Sequence, residues 1–451
     1  MHPSERRNVM KHCLTRLISV LVTAAMLFSL TACGAAAPGT ENAKETASGT
    51  TNTDMTETIS ETASHGGSNA IYTPQTVDGK APDEAFRTAY LKLTAALMAA
   101  HQKNAKSSTL ISPLSIMTAL AMVANGADGD TLAEIQTLLG GDIGLDTLNN
   151  YLYSYFHSLP SDETARFAAA NSIWINDLSS FTVLPSFLQT NANYYQAEVR
   201  RTVFNDAAVS DINDWVSKNT DAMIPRILDR LSEDDRMILI NALVFDAKWN
   251  TIFFEEAVQD HEFTALSGQK QTVPMMSGSE YWYLWDENTA GFMKPYRDDT
   301  YRFVALLPEE GTDLNEYIAS LSAEKLNGLL QSASNEKVSI LLPKFSYDDN
   351  WRMETDLAAL GMPAAFCALA DFSRISEDTQ LYIDTVIHKT HIEVAEEGTR
   401  AAAVTMIGLK NTGMPMQPPK EVILDRPFVY MIIDTETQLP IFIGAVTEIA
   451  E

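Results

Sequence analysis

Residues that often perform chemistry occur in this 451-residue chain, but they are not arranged for catalysis. His388 and His391 lie three residues apart in a predicted strand, so their side chains point to opposite faces. No Cys or second pair of ligands accompanies them, and a zinc site needs such a set. The motif Gly-x-Ser-x-Gly, which presents the serine of many hydrolases, does not occur in the sequence. The sequence therefore predicts neither a metal or cofactor site nor an enzyme.

The segment EEGTRAAAVTM, residues 396 to 406, has an unusual composition for a chain rich in bulky apolar strands. Gly398 and several β-branched residues oppose a helix, and no leucine stripe marks a face to bury. As a strand, the segment presents two sides. They comprise Thr399, Ala401, Ala403 and Thr405 on one side, and Arg400, Ala402, Val404 and Met406 on the other. The first side is small throughout, which favours a segment that inserts between neighbours already packed.

The N-terminus has the pattern of a secretion signal. Four basic residues precede an apolar run from Leu17 to Leu30, which is too short for an ordinary membrane-spanning helix. The run leads into Leu-Thr-Ala-Cys, which resembles the lipobox of bacterial lipoproteins. By that resemblance, Cys33 is lipidated and becomes the mature N-terminus, and the protein is secreted and anchored to the outer face of a bacterial membrane or released. A plain secretion signal with a chance cysteine is the alternative.

Composition divides the chain into a signal peptide (residues 1–32), a flexible tether (residues 33–81) and one folded domain (residues 82–451). The tether consists largely of Thr, Ser, Gly, Ala and Glu, and has few large apolar residues to offset the entropy of ordering. Since Cys13 leaves with the signal and Cys33 carries lipid, Cys367 remains alone. We therefore expect no internal disulfide in the mature chain.

The charge of the chain excludes some partners. The formal net charge is −27, and it becomes −30 once the basic signal is removed. Such a surface repels nucleic acid and anionic lipid headgroups. We therefore expect no nucleic-acid partner, and membrane contact only through the N-terminal lipid.

The folded domain is predicted to have helices first and strands later. Pro82 to Ala105 has an amphipathic pattern, and Ser112 followed by Pro113 is a suitable cap and first turn for a helix through Val123. Five apolar segments predict strands: 237–249, 301–308, 338–345, 381–394 and 426–434. Strands and helices do not alternate as in a parallel fold. The predicted fold class is α+β, with N-terminal helices packed on large, mostly antiparallel β-sheets.

From about residue 83 to residue 448 the chain resembles the serpin family. Ten motifs in the family's order and spacing carry the resemblance: ISPLSIMTALAMVANGA, YYQAEVRRTVF, INDWVSKNTDAMIPRIL, LINALVF, VPMM, LLPKF, LGM, ADFSRIS, LYIDTVIHKTHIEVAEEGT and DRPFVYMII. The resemblance implies the serpin fold with an exposed reactive-centre loop. It also implies a monomer whose partner is a serine protease, bound as a covalent acyl-enzyme.

In serpins, the segment that matches Glu396 to Thr405 is the hinge of the reactive loop. A serine protease attacks a bond downstream, and the freed hinge then inserts as a new strand in a sheet and carries the acylated protease with it. By resemblance the hinge comprises Glu396, Glu397, Gly398, Thr399, Arg400, Ala401, Ala402, Ala403, Val404 and Thr405. Gly398 is expected to give the bending backbone its freedom. Family inhibitors usually carry an acidic residue at the position of Arg400, but this position faces solvent on insertion.

Two further groups resemble family residues that control insertion. The first group lies beneath the opening sheet, hydrogen-bonds within itself and gates insertion: Ser112, Ser115, Asn241 and His388. The alternative is a satisfied buried polar cluster without a gating role. The second group lies where insertion begins: Trp249, Lys344 and Glu396. Its alternative is a half-buried aromatic beside a surface ion pair. Close by, the family's Phe-Lys-Gly-x-Trp is here Phe-Asp-Ala-Lys-Trp, residues 245 to 249, which leaves the local geometry open.

Two counts place the attacked bond at Thr412-Gly413. Fourteen residues of strand from Thr399, at about 3.3 Å each, span about 45 Å, nearly the height of a domain of this size. In serpin inhibitors the attacked residue typically lies about seventeen places along from the hinge glutamate, which from Glu396 also gives Thr412. Asn411 and Met414 stay open as alternatives. A small uncharged residue followed by methionines predicts an elastase-like or subtilisin-like protease as the target.

A non-inhibitory serpin that acts as a binding or chaperone-like surface protein is the main alternative function. Such members often carry bulky, charged or proline residues where this chain has Ala401 to Ala403. A surface lipoprotein that binds solutes accounts for the signal and the tether. It does not account for the alanine-rich hinge.

Overall fold

The computed structural model describes residues 72–163, 165–177, 181–232, 234–377, 380–399 and 419–449. The predicted signal peptide, Cys33 and most of the predicted tether lie outside these residues. So do Arg400 to Thr405 of the hinge and the predicted reactive bond, Thr412-Gly413. The structure therefore bears on the folded domain and on the two chain segments from which the predicted loop departs.

Helices dominate the first part of the domain. Asp83 caps the first helix by accepting hydrogen bonds from backbone N–H groups of its first turn. Ser112 caps the second helix and Pro113 lies in its first turn, which confirms the start predicted from the sequence. These four helices are α1 (Glu84–Asn104), α2 (Pro113–Ala124), α3 (Gly129–Gly140) and α4 (Leu145–Ser158).

Five more helices occur among the described residues: α5 (Pro185–Tyr195), α6 (Asp206–Asn219), α7 (Leu314–Ser320), α8 (Ala323–Gln331) and α9 (Glu354–Leu360). The apolar face of α6 packs in a cluster with residues of two strands described below, and this cluster includes Ile212, Trp215, Trp174 and Ile240. Burial of such large side chains is worth about 1.5–3 kcal/mol each. It holds α6 against its sheet.

Sixteen strands are described. They are β1 (Thr109–Ile111), β2 (Ala165–Asn176), β3 (Glu198–Thr202), β4 (Met237–Lys248), β5 (Val258–Thr264), β6 (Lys270–Glu280), β7 (Trp282–Trp285), β8 (Thr289–Pro295), β9 (Tyr301–Pro308), β10 (Val338–Pro343), β11 (Phe345–Arg352), β12 (Ile387–Val394), β13 (Gly398–Thr399), β14 (Lys420–Ile423), β15 (Phe428–Asp434) and β16 (Pro440–Val446).

The strands form three sheets in the described part of the chain. The hinge sheet has the order β11-β12-β13-β4-β2-β3, and the core sheet has the order β1-β16-β15-β9-β8-β7. The four-stranded sheet has the order β14-β10-β6-β5. Only the pairs β2–β3 and β10–β14 are parallel among these ladders. The fold is therefore α+β with mostly antiparallel sheets, as the sequence predicts.

The predicted strand over residues 381–394 is wrong in its first half, because β12 begins at Ile387. The backbone N–H of Ile383 donates to the carbonyl of Ala365, and that of Val386 donates to the carboxylate of Glu354. These groups bind a turn and a helix instead of a neighbouring strand. Apolar alternation in a sequence cannot distinguish the two arrangements.

The centre of the domain lies where α2 meets two sheets. Every residue of β15 and β16 is buried, and α2 contacts both β4 of the hinge sheet and β16 of the core sheet. Aromatic rings of Phe303, Phe345, Phe428 and Tyr430 pack together at this centre. The hinge sheet therefore rests on a packed core along the side that carries α2.

Candidate functional site

The hinge begins as a short strand inside the hinge sheet. β13 lies between β12 and β4 and is antiparallel to both. Gly398 is opposite Lys248, and Thr399 is opposite Ala247 on one side and Val394 on the other. In the described part of the chain, no ladder joins β12 directly to β4. A path between these two strands therefore starts at the hinge.

Gly398 is required here by close packing. A Cβ atom at this position would overlap the carbonyl oxygen of Ala247 and lie 2.8 Å from the Cα of Lys248. Its φ angle is not positive, so the backbone conformation alone does not demand glycine. We expected Gly398 to supply bending freedom. The structure adds a steric reason, since only glycine allows β13 to approach β4 this closely.

Thr399 is buried and hydrogen-bonded. Its hydroxyl lies 2.5 Å from the hydroxyl of Tyr296, which is also buried. The Tyr296 ring in turn stacks on Trp249, with ring centroids 4.4 Å apart and an interplanar angle of 17°. The second residue of β13 is thus joined through one hydrogen bond to a buried aromatic stack.

Three consecutive carbonyls before β13 are held by the chain that follows β4. The indole N–H of Trp249 donates to the carbonyl of Ala395 at 2.8 Å. The backbone N–H of Trp249 donates to Glu397, and that of Phe253 donates to Glu396. The residues that enter β13 are therefore fixed by main-chain bonds as well as by side chains.

The ammonium group of Lys344 lies 2.8 Å from a carboxylate oxygen of Glu396. Burial acts to raise the pKa of the Glu396 carboxyl, but the hydrogen bond and charge of Lys344 outweigh burial and hold the pKa below its usual value. Both side chains are partly exposed, so the pair contributes little to stability. The structure thus brings Trp249, Lys344 and Glu396 together at the end of the hinge sheet where β13 lies. Their role in insertion stays a prediction.

The strand β4 runs unbroken through the departure from the family motif. Asp246 pairs with Arg166 of β2, and Ala247 pairs with Ala165. Ala247 is buried, and its carbonyl faces the backbone of Gly398. An alanine where the family has glycine is therefore accommodated without a bulge in β4.

Three of the four predicted gating residues lie together. The Ser112 hydroxyl accepts a hydrogen bond from the backbone N–H of Ser115 at 3.2 Å, and the backbone N–H of Ser112 donates to Nε2 of His388 at 3.0 Å. His388 lies on β12, so these bonds join the start of α2 to one border of the path between β12 and β4. The gating role itself stays a prediction.

Asn241, on β4, is not hydrogen-bonded to the other three residues. Its side-chain amide donates to Oδ1 of Asn171 on the neighbouring strand β2. Its own Oδ1 is buried and has no hydrogen-bond partner among the described residues. The bond expected between Asn241 and this group is therefore not made. A buried carbonyl oxygen without a partner costs about 1–3 kcal/mol of stability, so a hydrogen-bond donor placed beside this atom would be stabilising.

Burial lowers the pKa of His388 to about 4, with nearby Asp349 opposing this shift and His101 adding to it. Because Nε2 accepts from Ser112, the neutral ring carries its proton on Nδ1. His388 is therefore a neutral hydrogen-bond acceptor at physiological pH.

Sequence reasoning missed a polar group beside His388. Nε2 of His101, on α1, lies 2.6 Å from Oδ2 of Asp349, and this oxygen also accepts from the backbone N–H of Leu110. The His101 ring stacks on Trp351 at 4.4 Å. A histidine on the apolar face of α1 is a weak sequence signal, and nothing in the sequence links it to a strand 248 residues later.

Sequence reasoning also missed an ion pair beneath the hinge. Nζ of Lys294 lies 2.7 Å from Glu280 and donates to the carbonyl of Thr251. The Lys294 side chain is 2% exposed, and its Nζ lies 4.3 Å from the ring centre of Phe253. Burial raises the pKa of Glu280 and lowers that of Lys294. The sequence feature that could have indicated this ion pair is a lysine inside the apolar strand β8.

Among the described residues, neither His388 nor His391 belongs to a group of side chains that could hold a metal ion. His391 is hydrogen-bonded to Asp348 at 2.8 Å, and no group of three or more His, Cys, Asp or Glu side chains is placed to hold an ion there. Over the same described ranges, no helix has the length and apolar character needed to cross a membrane.

Comparisons with known proteins agree on one family. The sequence model described as Serpin (serine protease inhibitor) matches residues 89–449. A serpin-like protein of Thermococcus kodakarensis is 32% identical over 345 residues, which cover 75% of this chain and 80% of the relative. The leukocyte elastase inhibitor of Xenopus tropicalis is 32% identical over 361 residues, covering 76% of this chain and 94% of the relative.

Solved structures give the same fold. The native state of Tengpin, a thermophilic serpin, superposes with a TM-score of 0.80 and 42% identity, covering 85% of this chain and all of that one. Human thyroxine-binding globulin complexed with thyroxine superposes with a TM-score of 0.73 and 25% identity, covering 81% of this chain and 99% of that one. One of these two neighbours was thus solved with a small-molecule ligand bound.

Proposed function

Because this chain belongs to the serpin family, we propose that it inhibits serine proteases as a suicide substrate. In this proposal a protease attacks the loop between β13 and β14, and its catalytic serine becomes esterified to the loop. The freed end of the loop then inserts between β12 and β4, and the ester is trapped. The relatives named leukocyte elastase inhibitor support the inhibitory class.

The observation that carries the proposal is the register of β13. Gly398 and Thr399 already lie between β12 and β4, and the two ladders can be extended independently. Continuing the ladder with β4 places Thr405 opposite Asn241, and continuing the ladder with β12 places Thr405 opposite His388. The first count therefore brings the Thr405 hydroxyl beside the buried Oδ1 of Asn241 that has no partner, and the second brings the same residue beside His388. Insertion would supply the missing donor.

The same register sets the length of the new strand. β4 runs back from Lys248 to Met237, so residues 398 to 409 are the ones that find partners along it. A net gain of about 1 kcal/mol per backbone hydrogen bond gives about 10 kcal/mol for a strand of a dozen residues. A difference of this size makes insertion effectively irreversible. Cleavage at Thr412-Gly413 leaves three residues between the last pair and the ester.

The faces of the inserted strand fit this path. Thr399 is buried, and residues 401, 403 and 405 share its parity, so the small side of the hinge would face the core. Arg400 would face solvent and keep its hydration. Displacing the protease then distorts its active site, and the loss of one oxyanion-hole donor slows deacylation by about a hundred- to a thousandfold.

We further propose that the target is elastase-like or subtilisin-like, because Thr412 is small and uncharged. We also propose that Cys33 carries a lipid, and that the tether holds the inhibitor at the outer face of a bacterial membrane unless it is shed. This location would place the inhibitor where extracellular proteases reach the cell.

A second candidate is a non-inhibitory serpin that binds a ligand at the surface. The similarity to thyroxine-binding globulin is the observation that favours it. The alanines at 401 to 403 and the preformed β13 favour inhibition instead.

One experiment separates the two candidates. The purified chain is incubated with leukocyte elastase, subtilisin and trypsin, and the products are resolved in SDS. We expect an SDS-stable complex that hydroxylamine cleaves, because the link is an ester. Intact-mass analysis of the released fragment should place the cut at Thr412-Gly413. Complete cleavage without any complex would exclude inhibition, and a cut at Lys410-Asn411 with trypsin the best-inhibited enzyme would overturn the assigned bond.

A further inference from the structure

A pocket of about 210 Å³ lies between α1, α3 and the end of α9. The three helices pack together at this place, since α1 contacts both α3 and α9. Leu93, Leu138 and Leu360 give the pocket an apolar lining, and the small side chain of Ala96 leaves the space between them open. The volume equals that of about seven water molecules in the liquid. The pocket can therefore hold only a small ligand.

Two opposite charges line the pocket from different helices. Lys92 and Ala96 are four residues apart on α1, and Glu134 and Leu138 are four residues apart on α3. Residues at this spacing share one face of a helix, so each charge lies beside an apolar lining residue. In the described part of the chain, Lys92 and Glu134 form no ion pair with one another or with any other residue.

Glu134 is a half-buried carboxylate without a counter-ion. Its Oε2 accepts a hydrogen bond from the backbone N–H of Ala364 at 2.8 Å. Burial raises the pKa of the Glu134 carboxyl, the Ala364 N–H opposes this shift only partly, and the negative charge of Asp130 adds to it. A carboxylate that is taken partly out of water is normally balanced by a cation. Its other oxygen, Oε1, therefore favours a ligand that carries an ammonium group.

Lys92 is an exposed cation at the rim of the same pocket. Hydrogen bonds from its own N–H and from Ser322 lower the pKa of Glu324 on α8, and Lys92 adds only a minor contribution. The flexible stem of a lysine lets its ammonium group move to meet a ligand. Gly361 ends α9 with a φ of 126°, and nothing lies within 4 Å of a Cβ there, so the rim beside α9 is open.

We propose that this pocket binds a small zwitterion, either a free amino acid with an apolar side chain or the same residue at the N-terminus of a short peptide. The ligand's ammonium group donates to Oε1 of Glu134, and its carboxylate accepts from Lys92. Its apolar side chain lies against Leu93, Leu138 and Leu360. The site does not involve the reactive loop, so it does not depend on the inhibitory function proposed above.

The test compares ligands that carry both charges with ligands that carry one. Isothermal titration calorimetry on the purified chain measures the affinity for L-leucine and for the dipeptide leucyl-glycine. The compound 3-methylbutylamine lacks the carboxylate, and 4-methylpentanoate lacks the ammonium group. We expect the better of the two zwitterions to bind about tenfold or more tightly than either analogue, because each analogue loses a charge-assisted hydrogen bond. The preferred zwitterion identifies the source of the ligand.

Two variants each remove one charge of the pocket. Glu134→Gln keeps an oxygen for the Ala364 N–H, and it should weaken the binding of the preferred zwitterion about tenfold or more while leaving that of 4-methylpentanoate unchanged. Lys92→Gln should weaken the zwitterion in the same way while leaving 3-methylbutylamine unchanged. The matched controls Glu310→Gln and Lys103→Gln change exposed residues outside the pocket, and they should bind as the wild-type chain does.

Stability gives a second measurement. Because a ligand that binds only the folded state raises the free energy of unfolding, millimolar zwitterion should shift the urea midpoint of the wild-type chain to higher concentration. The shift should shrink in Glu134→Gln.

Two results would overturn the site: no heat and no stabilisation with either zwitterion at millimolar concentration, or equal weakening by Glu134→Gln and its control. An affinity for 3-methylbutylamine equal to that for the zwitterion, with no effect of Lys92→Gln, would overturn the assignment of the ligand as a zwitterion. Each of these results leaves trapping of a protease unaffected, so the pocket and the inhibitory function are tested separately.

Discussion

The hydroxyl oxygens of Thr399 and Tyr296 lie 2.5 Å apart in a buried contact that joins β13 to the Trp249 stack. Tyr296→Phe removes one partner and leaves the other hydroxyl buried. We expect this change to lower the free energy of unfolding, measured by urea denaturation, by about 1 kcal/mol. Thr399→Val in the same background should restore most of the loss, because a buried pair is then replaced by apolar groups. If the losses of stability in the two single variants simply add up in the double variant, the two hydroxyls do not interact.

Gly398→Ala places a methyl group against the carbonyl of Ala247. We expect β13 to leave the sheet, with insertion slowed so that more of the loop is cleaved without trapping. The measurement is the number of inhibitor molecules consumed per protease inactivated, which should rise severalfold. Gly328→Ala is the matched control, since nothing lies within 4 Å of a Cβ there and alanine favours its helix α8. Equal trapping by both variants would refute the steric role of Gly398.

Thr405→Arg and Ala401→Pro test whether strand insertion causes inhibition. The first variant puts a charge on the side expected to be buried, and the second removes a backbone donor. We predict that each loop is still cleaved but no longer traps the protease. Arg400→Glu is the control, because its position faces solvent on insertion and should keep full trapping. A full yield of covalent complex from Thr405→Arg would contradict the proposed mechanism.

We expect acidification to lower the stability of the folded protein, because His388 is buried in its neutral form. Its pKa is about 4 in the folded protein and about 6.5 when unfolded, so the unfolded chain binds the proton first. The stability contributed by the neutral ring is present above pH 6.5 and is lost as the pH falls through 4. The loss approaches about 3 kcal/mol. Urea denaturation between pH 7.5 and pH 4 measures it.

His388→Gln keeps a side-chain acceptor near Ser112 but removes the titrating ring. We expect His388→Gln to flatten the dependence of the free energy of unfolding on pH. Replacing the exposed His157 by Gln should leave this dependence as in the wild type. Carboxylates also titrate in this range in all three proteins, so only the difference between variants is informative. Identical slopes for both variants would show that His388 does not carry the effect.

Lipid anchoring is tested by Cys33→Ala. We expect the wild-type chain in the membrane fraction of the producing bacterium, and the variant in the soluble secreted fraction. Metabolic labelling with a fatty-acid analogue should mark the wild type alone. Unchanged membrane association of Cys33→Ala would exclude this anchor.

Local signals in the sequence predicted the elements whose causes are local. Ser112 followed by Pro113 predicts the start of α2, because capping and the fixed φ of proline act within one turn. The segment 381–386 was predicted incorrectly because its backbone partners, a turn and a helix, are set by tertiary structure. The same holds for the close approach that requires Gly398.

Parts of the candidate site depend on contacts that no local pattern encodes. Asn241 lies on β4 as expected, but its amide binds Asn171 of β2 and not the serines beneath the sheet. Lys294 and Glu280 form a buried ion pair across two strands, and the sequence alone shows only a lysine in an apolar run. Partner choice among buried polar groups is decided when the sheets pack.

The two paired residues of β13 have a kinetic consequence. A strand that joins a sheet must first bring a distant segment to its site, and this first contact carries most of the loop-closure entropy. Here the first rungs, at Gly398 and Thr399, exist before any cleavage. In the proposed mechanism, insertion is then propagation from a formed nucleus, one pair after another toward Asn241. We expect its speed to be set by how readily β12 and β4 separate ahead of the growing strand, because no distant segment has to be brought to the site first.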